Sequence, residues 1–248
     1  MDMKKKKNPA ARSTKFVSVA SKETPFAYVE AYKSLRTNIG FMTNVSGVRS
    51  ILITSAVPEE SKSTTAINLA LTLADSGHSV VLVECDLRKP VLRKYLKREL
   101  GQAGLGAYLA GLVNLDDCIV DLKELGISVI SAGVVPPNPS ELLNTTRMQE
   151  LVELLKHNFD YVILDAPPVT VVTDAAVVGR LTDGALLVVR SKFASARTIR
   201  QAKAKLENVG IRILGGVLTR FDMRKSGWRG GYDYSNYEYG YGHSRSRR

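Results

Sequence analysis

The chain has 248 residues, 44% hydrophobic and 24% charged, ordinary values that exclude collagen-like repeats and wholesale disorder. No apolar run approaches the ~20 residues a membrane helix needs, and the basic run Lys4–Lys7 has no apolar stretch behind it, so neither a span nor a secretory signal is predicted. The net charge of +11 is concentrated at the ends, +5 over residues 1–15 and +4 over 220–248, leaving +2 for 16–219.

Two cysteines, Cys85 and Cys118, make neither a disulfide framework nor a zinc site and suit a reducing cytosol. Cationic ends of this kind fit anionic lipid or nucleic acid, or serve solubility alone. The expected organisation is a basic flexible tail over 1–25, one folded domain over 26–222 and a tyrosine-rich tail over 223–248.

In chain order, a helix is predicted over Phe26–Met42, then a strand over Ser50–Thr54. A helical pattern over Thr64–Ser76 places Ile67, Ala70, Leu71 and Ala74 on one stripe and stops at Gly77, a C-cap residue. Strands follow at Ser79–Glu84, Ile127–Ile130, Tyr161–Asp165, Gly184–Val189 and Ile211–Leu218. Helices are predicted at Thr145–Asn158, Asp174–Leu181 and Ser195–Asn208. The strands are short, β-branched and nearly continuous in apolar character, the mark of strands covered on both faces. Their alternation with helices predicts an α/β doubly wound, mostly parallel sheet with ligands at the strand C-terminal ends. From Met223 the apolar periodicity stops, and five of the ten tyrosines fall within the last 17 residues. This segment reads as a disordered tail.

The segment Ala56-Val-Pro-Glu-Glu-Ser-Lys-Ser-Thr64 leads from the first strand straight into a helix, the context of a P-loop. Backbone N–H groups and the helix N-terminus concentrate positive potential there. Lys62 adds a full charge for the β- and γ-phosphates, and the Ser63 hydroxyl suits Mg²⁺. Ser61 stands where glycine is wanted, because the loop turns through positive φ, and with Glu59 and Glu60 it is expected to weaken nucleotide binding. Glu84, Asp86 and Arg88 close the second strand, and Asp165 closes that at Tyr161–Asp165. Acids at this edge suit metal coordination and activation of an attacking hydroxyl. His78 and His157 follow helix ends and read as capping or surface residues.

The body from about Glu30 to Leu218 resembles the cytoplasmic kinase domain of the bacterial tyrosine kinases of capsule and exopolysaccharide systems, in the form without a fused membrane part. Glu30-Ala-Tyr-Lys-Ser-Leu-Arg-Thr-Asn-Ile39 resembles the helix of self-association, with Glu30, Lys33 and Arg36 in its motif positions. Residues 56–64 resemble Walker A, Leu82-Val-Glu-Cys-Asp-Leu-Arg-Lys-Pro90 resembles Walker A′, and Ile163-Leu-Asp-Ala-Pro-Pro168 is similar to Walker B. Pro137–Leu143 and Thr173-Asp174 are also family-like. The resemblance implies a P-loop autokinase using ATP and Mg²⁺, with Lys62, Glu84, Asp86 and Asp165 as catalytic residues. It implies Ser63, Asp86 and Asp165 on the metal, and Glu60, Ser61, Lys62, Ser63, Thr64 and Thr219 around the nucleotide. Tyr232, Tyr234, Tyr237, Tyr239 and Tyr241 become phosphoacceptors. Glu84 stands where the family usually has Asp, Lys33 where it has Arg, and Thr219 where it tends to place Asn near the base. These departures, like Ser61, bear on turnover more than on fold.

The resemblance also implies partners: a transmembrane polysaccharide co-polymerase, or chain-length regulator, as activator, a cognate tyrosine phosphatase, and a ring-like homo-oligomer. The expected location is cytoplasmic, held at the inner face of the plasma membrane through the activator, with no nucleic acid involved. Competing readings are a Min/Par-type ATPase, a nucleotide-binding scaffold without catalysis, and a nucleic-acid-binding tail at Gly227-Trp-Arg-Gly-Gly-Tyr232 with aromatics stacking on bases. The first normally carries a second lysine early in the loop, where this chain has Val57.

Overall fold

Strand β1 (Ser50–Ser55) is buried along its whole length, because apolar layers cover both of its faces. Ile51 and Ile53 point into one core and Leu52 into the other, the two-residue period of a pleated strand. A computed structural model describes residues 18–21 and 23–221. Residues 1–17 of the expected N-terminal tail and the tyrosine-rich segment 223–248, with its five candidate phosphoacceptors, lie outside the described residues.

Helix α1 (Phe26–Ser46) precedes β1, followed by α2 (Lys62–Ala74), β2 (Val80–Glu84), α3 (Leu92–Leu96), α4 (Leu105–Leu109), β3 (Ile119–Leu122) and β4 (Ile127–Ile130). Then come α5 (Pro139–Leu143), α6 (Thr146–Asn158), β5 (Tyr161–Asp165), α7 (Asp174–Gly179), β6 (Gly184–Arg190), α8 (Ala196–Glu207) and β7 (Ile213–Thr219). The seven strands are ordered β3-β4-β2-β5-β1-β6-β7. All neighbours are parallel except β3 against β4, so the expected mostly parallel, doubly wound sheet is the observed one. β3 was not expected: exposed Asp121 interrupts its four residues, too polar a run to stand out.

One core packs α1 and α2 on the sheet through Ile39, Ile67, Leu69 and Leu73. The other packs α6, α7 and α8 on the opposite face through Leu151, Leu155, Val178 and Leu206. Helix α1 runs past its expected end to Ser46 and stops at Gly47, whose φ of 65° lets its N–H reach the Thr43 carbonyl, a left-handed cap that glycine adopts without steric cost. β1 lies between β5 and β6, so the chain crosses from one side of β1 to the other between them. That crossing opens a crevice at the strand C-terminal ends. No helix among the described residues is long and apolar enough to cross a membrane.

Candidate active site

The loop after β1 enters α2 without a break, and the helix begins at Lys62 itself, two residues before the expected start. Ser61 has φ 72° and Glu59 has φ 66°. The first is the positive φ for which a P-loop uses glycine; the second is another left-handed residue that the sequence did not flag. Glu60 between them is buried: its carboxylate accepts from Val57 N–H at 2.9 Å and from Arg190 N–H at 3.2 Å. The Thr219 hydroxyl donates to the Glu60 carbonyl at 3.0 Å, so the C-terminal ends of β6 and β7 both touch the loop. Thr170 Oγ1 donates to the Ala56 carbonyl from the β5 side.

Lys62 lies where loop and acids meet. Its ammonium stands 3.0 Å from Asp86 Oδ2, 3.3 Å from Asp165 Oδ1 and 3.2 Å from Ser63 Oγ. Burial pulls this ammonium's pKa down, but the charges of Asp165 and Asp86 more than reverse it, and the net direction is up. Asp165 is fully buried, and burial raises its pKa against the opposing pull of Lys62. Its Oδ2 has no hydrogen-bond partner. A buried carboxylate oxygen left open beside a serine hydroxyl at a helix N-terminus fits a small hard cation shared with phosphate oxygens. Thr64 is half-buried in the first turn of α2.

The two acids at the end of β2 are used differently. Asp86 Oδ1 accepts from Lys89 N–H while Oδ2 faces Lys62. Glu84 is buried and accepts from three backbone donors, Val91 at 2.5 Å, Leu92 at 2.8 Å and Ala132 at 3.0 Å. Its carboxylate ties the Walker A′ turn to α3 and to the end of β4. Burial raises its pKa, opposed by these N–H donors.

Away from the crevice, Glu30 and Lys33 pair with each other on α1 at 2.8 Å. Arg36 Nη1 donates to the Thr72 carbonyl on α2 at 2.9 Å. The three residues of the expected self-association motif therefore share a helix, but Arg36 is engaged within the subunit.

A family description reading "ParA: NUBPL iron-transfer P-loop NTPase" matches residues 48–223. The tyrosine-protein kinase YwqD of Bacillus subtilis is 34% identical over 227 residues, 92% of this chain and 95% of that one. The chain belongs to the bacterial tyrosine kinase family. The kinase domain of Escherichia coli tyrosine kinase ETK superposes on this kinase with a TM-score of 0.77 at 33% identity, covering 91% of this chain and 89% of that one. The septum site-determining protein MinD of Pyrococcus horikoshii, solved with Mg-ADP, aligns with a TM-score of 0.60 at 24% identity, covering 68% and 69% of the two chains. That likeness is one of fold alone. The P-loop NTPase architecture and the tyrosine-kinase identification both stand, against the ATPase reading of the sequence.

The kinase also has a cluster that residue-by-residue reading did not assemble. Arg88 donates through Nε and Nη2 to Asp174 and through Nη2 to Ser140 Oγ, and Ser140 donates to Asp174. The only sequence signal was that Arg88, Pro137–Leu143 and Thr173-Asp174 were each family-like; the fold brings them together beside the crevice.

Proposed function

We propose that this tyrosine kinase is an ATP-dependent autokinase that phosphorylates Tyr232, Tyr234, Tyr237, Tyr239 and Tyr241 between subunits. The modification regulates polymerisation and export of a capsular polysaccharide or exopolysaccharide. The reading is supported above all by Lys62, a P-loop cation within 3.3 Å of two strand-end carboxylates. Such a cation is free to exchange its carboxylate partners for the β- and γ-phosphate oxygens of ATP. Ser63 Oγ and Asp165 Oδ2 are the groups for Mg²⁺, with Asp86 next in reach. Mg²⁺ bound there would offset negative charge on the phosphates.

Asp86 is the base in this reading, because the Glu84 carboxylate is already committed to three backbone N–H donors. The phenolic oxygen of the acceptor tyrosine forms a bond to the γ-phosphorus and the bond to the β–γ bridging oxygen breaks. ADP departs and the phenolic proton passes to the Asp86 carboxylate. Thr219, beside the loop, takes the family's base-contacting place.

Helix α1 is the self-association element of a ring-like homo-oligomer, which brings one subunit's tail to its neighbour's crevice. Five phosphates at about 1.5–2 negative charges each reverse the tail's positive charge, and that reversal loosens the ring. A transmembrane chain-length regulator activates the kinase, which places it in the cytoplasm at the membrane's inner face, and a tyrosine phosphatase resets it. No nucleic acid enters the cycle.

The test is incubation with Mg-ATP, with and without the activator's cytoplasmic segment, read by mass spectrometry beside a Lys62→Met control. Phosphate on Tyr232–Tyr241 that vanishes in the control supports the autokinase. Nucleotide binding with no phosphate under any condition would overturn it in favour of a catalytically degenerate scaffold.

A further inference from the structure

Two non-glycine residues of the P-loop, Glu59 and Ser61, hold left-handed backbone at φ 66° and 72°, a conformation that L-residues other than Asn and Asp rarely keep unless their surroundings enforce it. The residue between them is the most heavily tied in the loop. Glu60 is 1% exposed, and its carboxylate bridges the start of the loop, at Val57 N–H, to the end of β6, at Arg190 N–H. Its carbonyl accepts from Thr219 Oγ1 at the end of β7. Arg190 also lays its guanidinium on the Phe193 ring, 4.4 Å from the centroid, and brings Nη1 to 3.5 Å from the Glu59 carbonyl. The Glu60 carboxylate and carbonyl are both spent within the protein, tying the loop to the ends of β6 and β7.

We infer that Glu60, anchored by Arg190 and Thr219, is a clasp that forces this glycine-free P-loop into its phosphate-binding shape, doing by tertiary contact what glycine does by conformational freedom. Glu60 is thus a positioning residue for the kinase reaction. The inference rests on the loop being the nucleotide site. Without the clasp, Glu59 and Ser61 relax towards ordinary negative φ, and the N–H groups that a phosphate needs turn away. With glycine at 59 and 61 the same backbone carries no Cβ penalty, and the clasp becomes dispensable.

The experiment is a four-way comparison on the full chain: wild type, Glu60→Gln, the double variant Glu59→Gly/Ser61→Gly, and all three changes together. Mg-ADP titration and the thermal midpoint are read for each. Glu60→Gln keeps the size of the side chain but sets an NH₂ group against one of the two N–H donors. The expected result is a loss of Mg-ADP affinity of about tenfold in the native loop and about twofold or less in the glycine loop, a coupling between contacting residues. The fall in thermal midpoint should be the same in both backgrounds, which separates positioning from general stability. Equal affinity losses in the two backgrounds overturn the clasp. So does a wild type that binds no Mg-ADP while the glycine double variant binds it. Binding by neither overturns the nucleotide-site reading instead.

Discussion

Arg88 grips both oxygens of the fully buried Asp174 carboxylate across 86 residues of sequence, Nε to Oδ2 at 2.8 Å and Nη2 to Oδ1 at 3.2 Å. The geometry is the two-pronged pairing that a planar guanidinium makes and an ammonium cannot. It fastens the turn that carries Asp86 to α7, with Ser140 of α5 closing the triangle. Arg88→Ala leaves Asp174 buried with the Ser140 hydroxyl as its remaining partner. The expected loss is about 3 kcal/mol, the usual cost of stranding a buried charge. Arg88→Lys, which restores charge without the fork, should recover part of it. Urea denaturation of the two variants measures both.

Lys62→Met removes the cation from between Asp86 and Asp165. Loss of one preorganised charge at the transferring phosphoryl group should lower the rate of tyrosine phosphorylation by about 10³-fold. Initial rates of phosphotyrosine formation at saturating Mg-ATP test this; a variant within tenfold of wild type would remove Lys62 from the chemistry.

Ser61→Gly should stabilise the fold. The Ser61 φ of 72° carries a Cβ penalty of about 1–2 kcal/mol that glycine does not have. Glycine's freer unfolded chain takes back part of this, leaving a net gain of about 0.5–1 kcal/mol. The denaturation midpoint should rise with an unchanged slope.

Asp183 gives the fold an acid-sensitive fastening at the start of β1. Oδ2 accepts from Arg49 and Ser50 N–H, both at 2.8 Å, and Oδ1 pairs with Lys156 at 3.0 Å. Partial burial opposes ionisation, but the Ser50 and Arg49 N–H groups and Lys156 prevail and hold the carboxyl below its ordinary 3.8. A depressed folded pKa contributes stability that is present above the unfolded value and lost as pH falls through the folded one. The stability difference between wild type and Asp183→Asn should therefore be constant from pH 7 to about 5 and shrink below about 4. Denaturation curves across that range test the sign.

Strand and helix alternation was legible in the sequence because each strand is a short, continuous apolar run and each long helix carries an apolar stripe; the six expected strands are all present. One-turn elements were not legible. Helices α3, α4 and α5 span five residues each, less than the two turns over which a 3.6-residue period can declare itself. The order in which β5 inserts between β2 and β1 was equally hidden, because strand pairing is decided by long-range packing.

The candidate site divides in the same way. Lys62, Ser63, Asp86 and Asp165 were legible because P-loop chemistry fixes residue types at short spacings next to strand ends. The sequence by itself also determined that residue 61 has to turn through positive φ. Only the tertiary structure decided that Glu84 accepts from three backbone donors, that Arg36 is spent on Thr72, and that Glu60 bridges Val57 to Arg190. A carboxylate's role depends on which N–H groups and cations the fold brings within hydrogen-bond distance of it, and those partners lie on segments whose spacing in sequence carries no trace of their proximity.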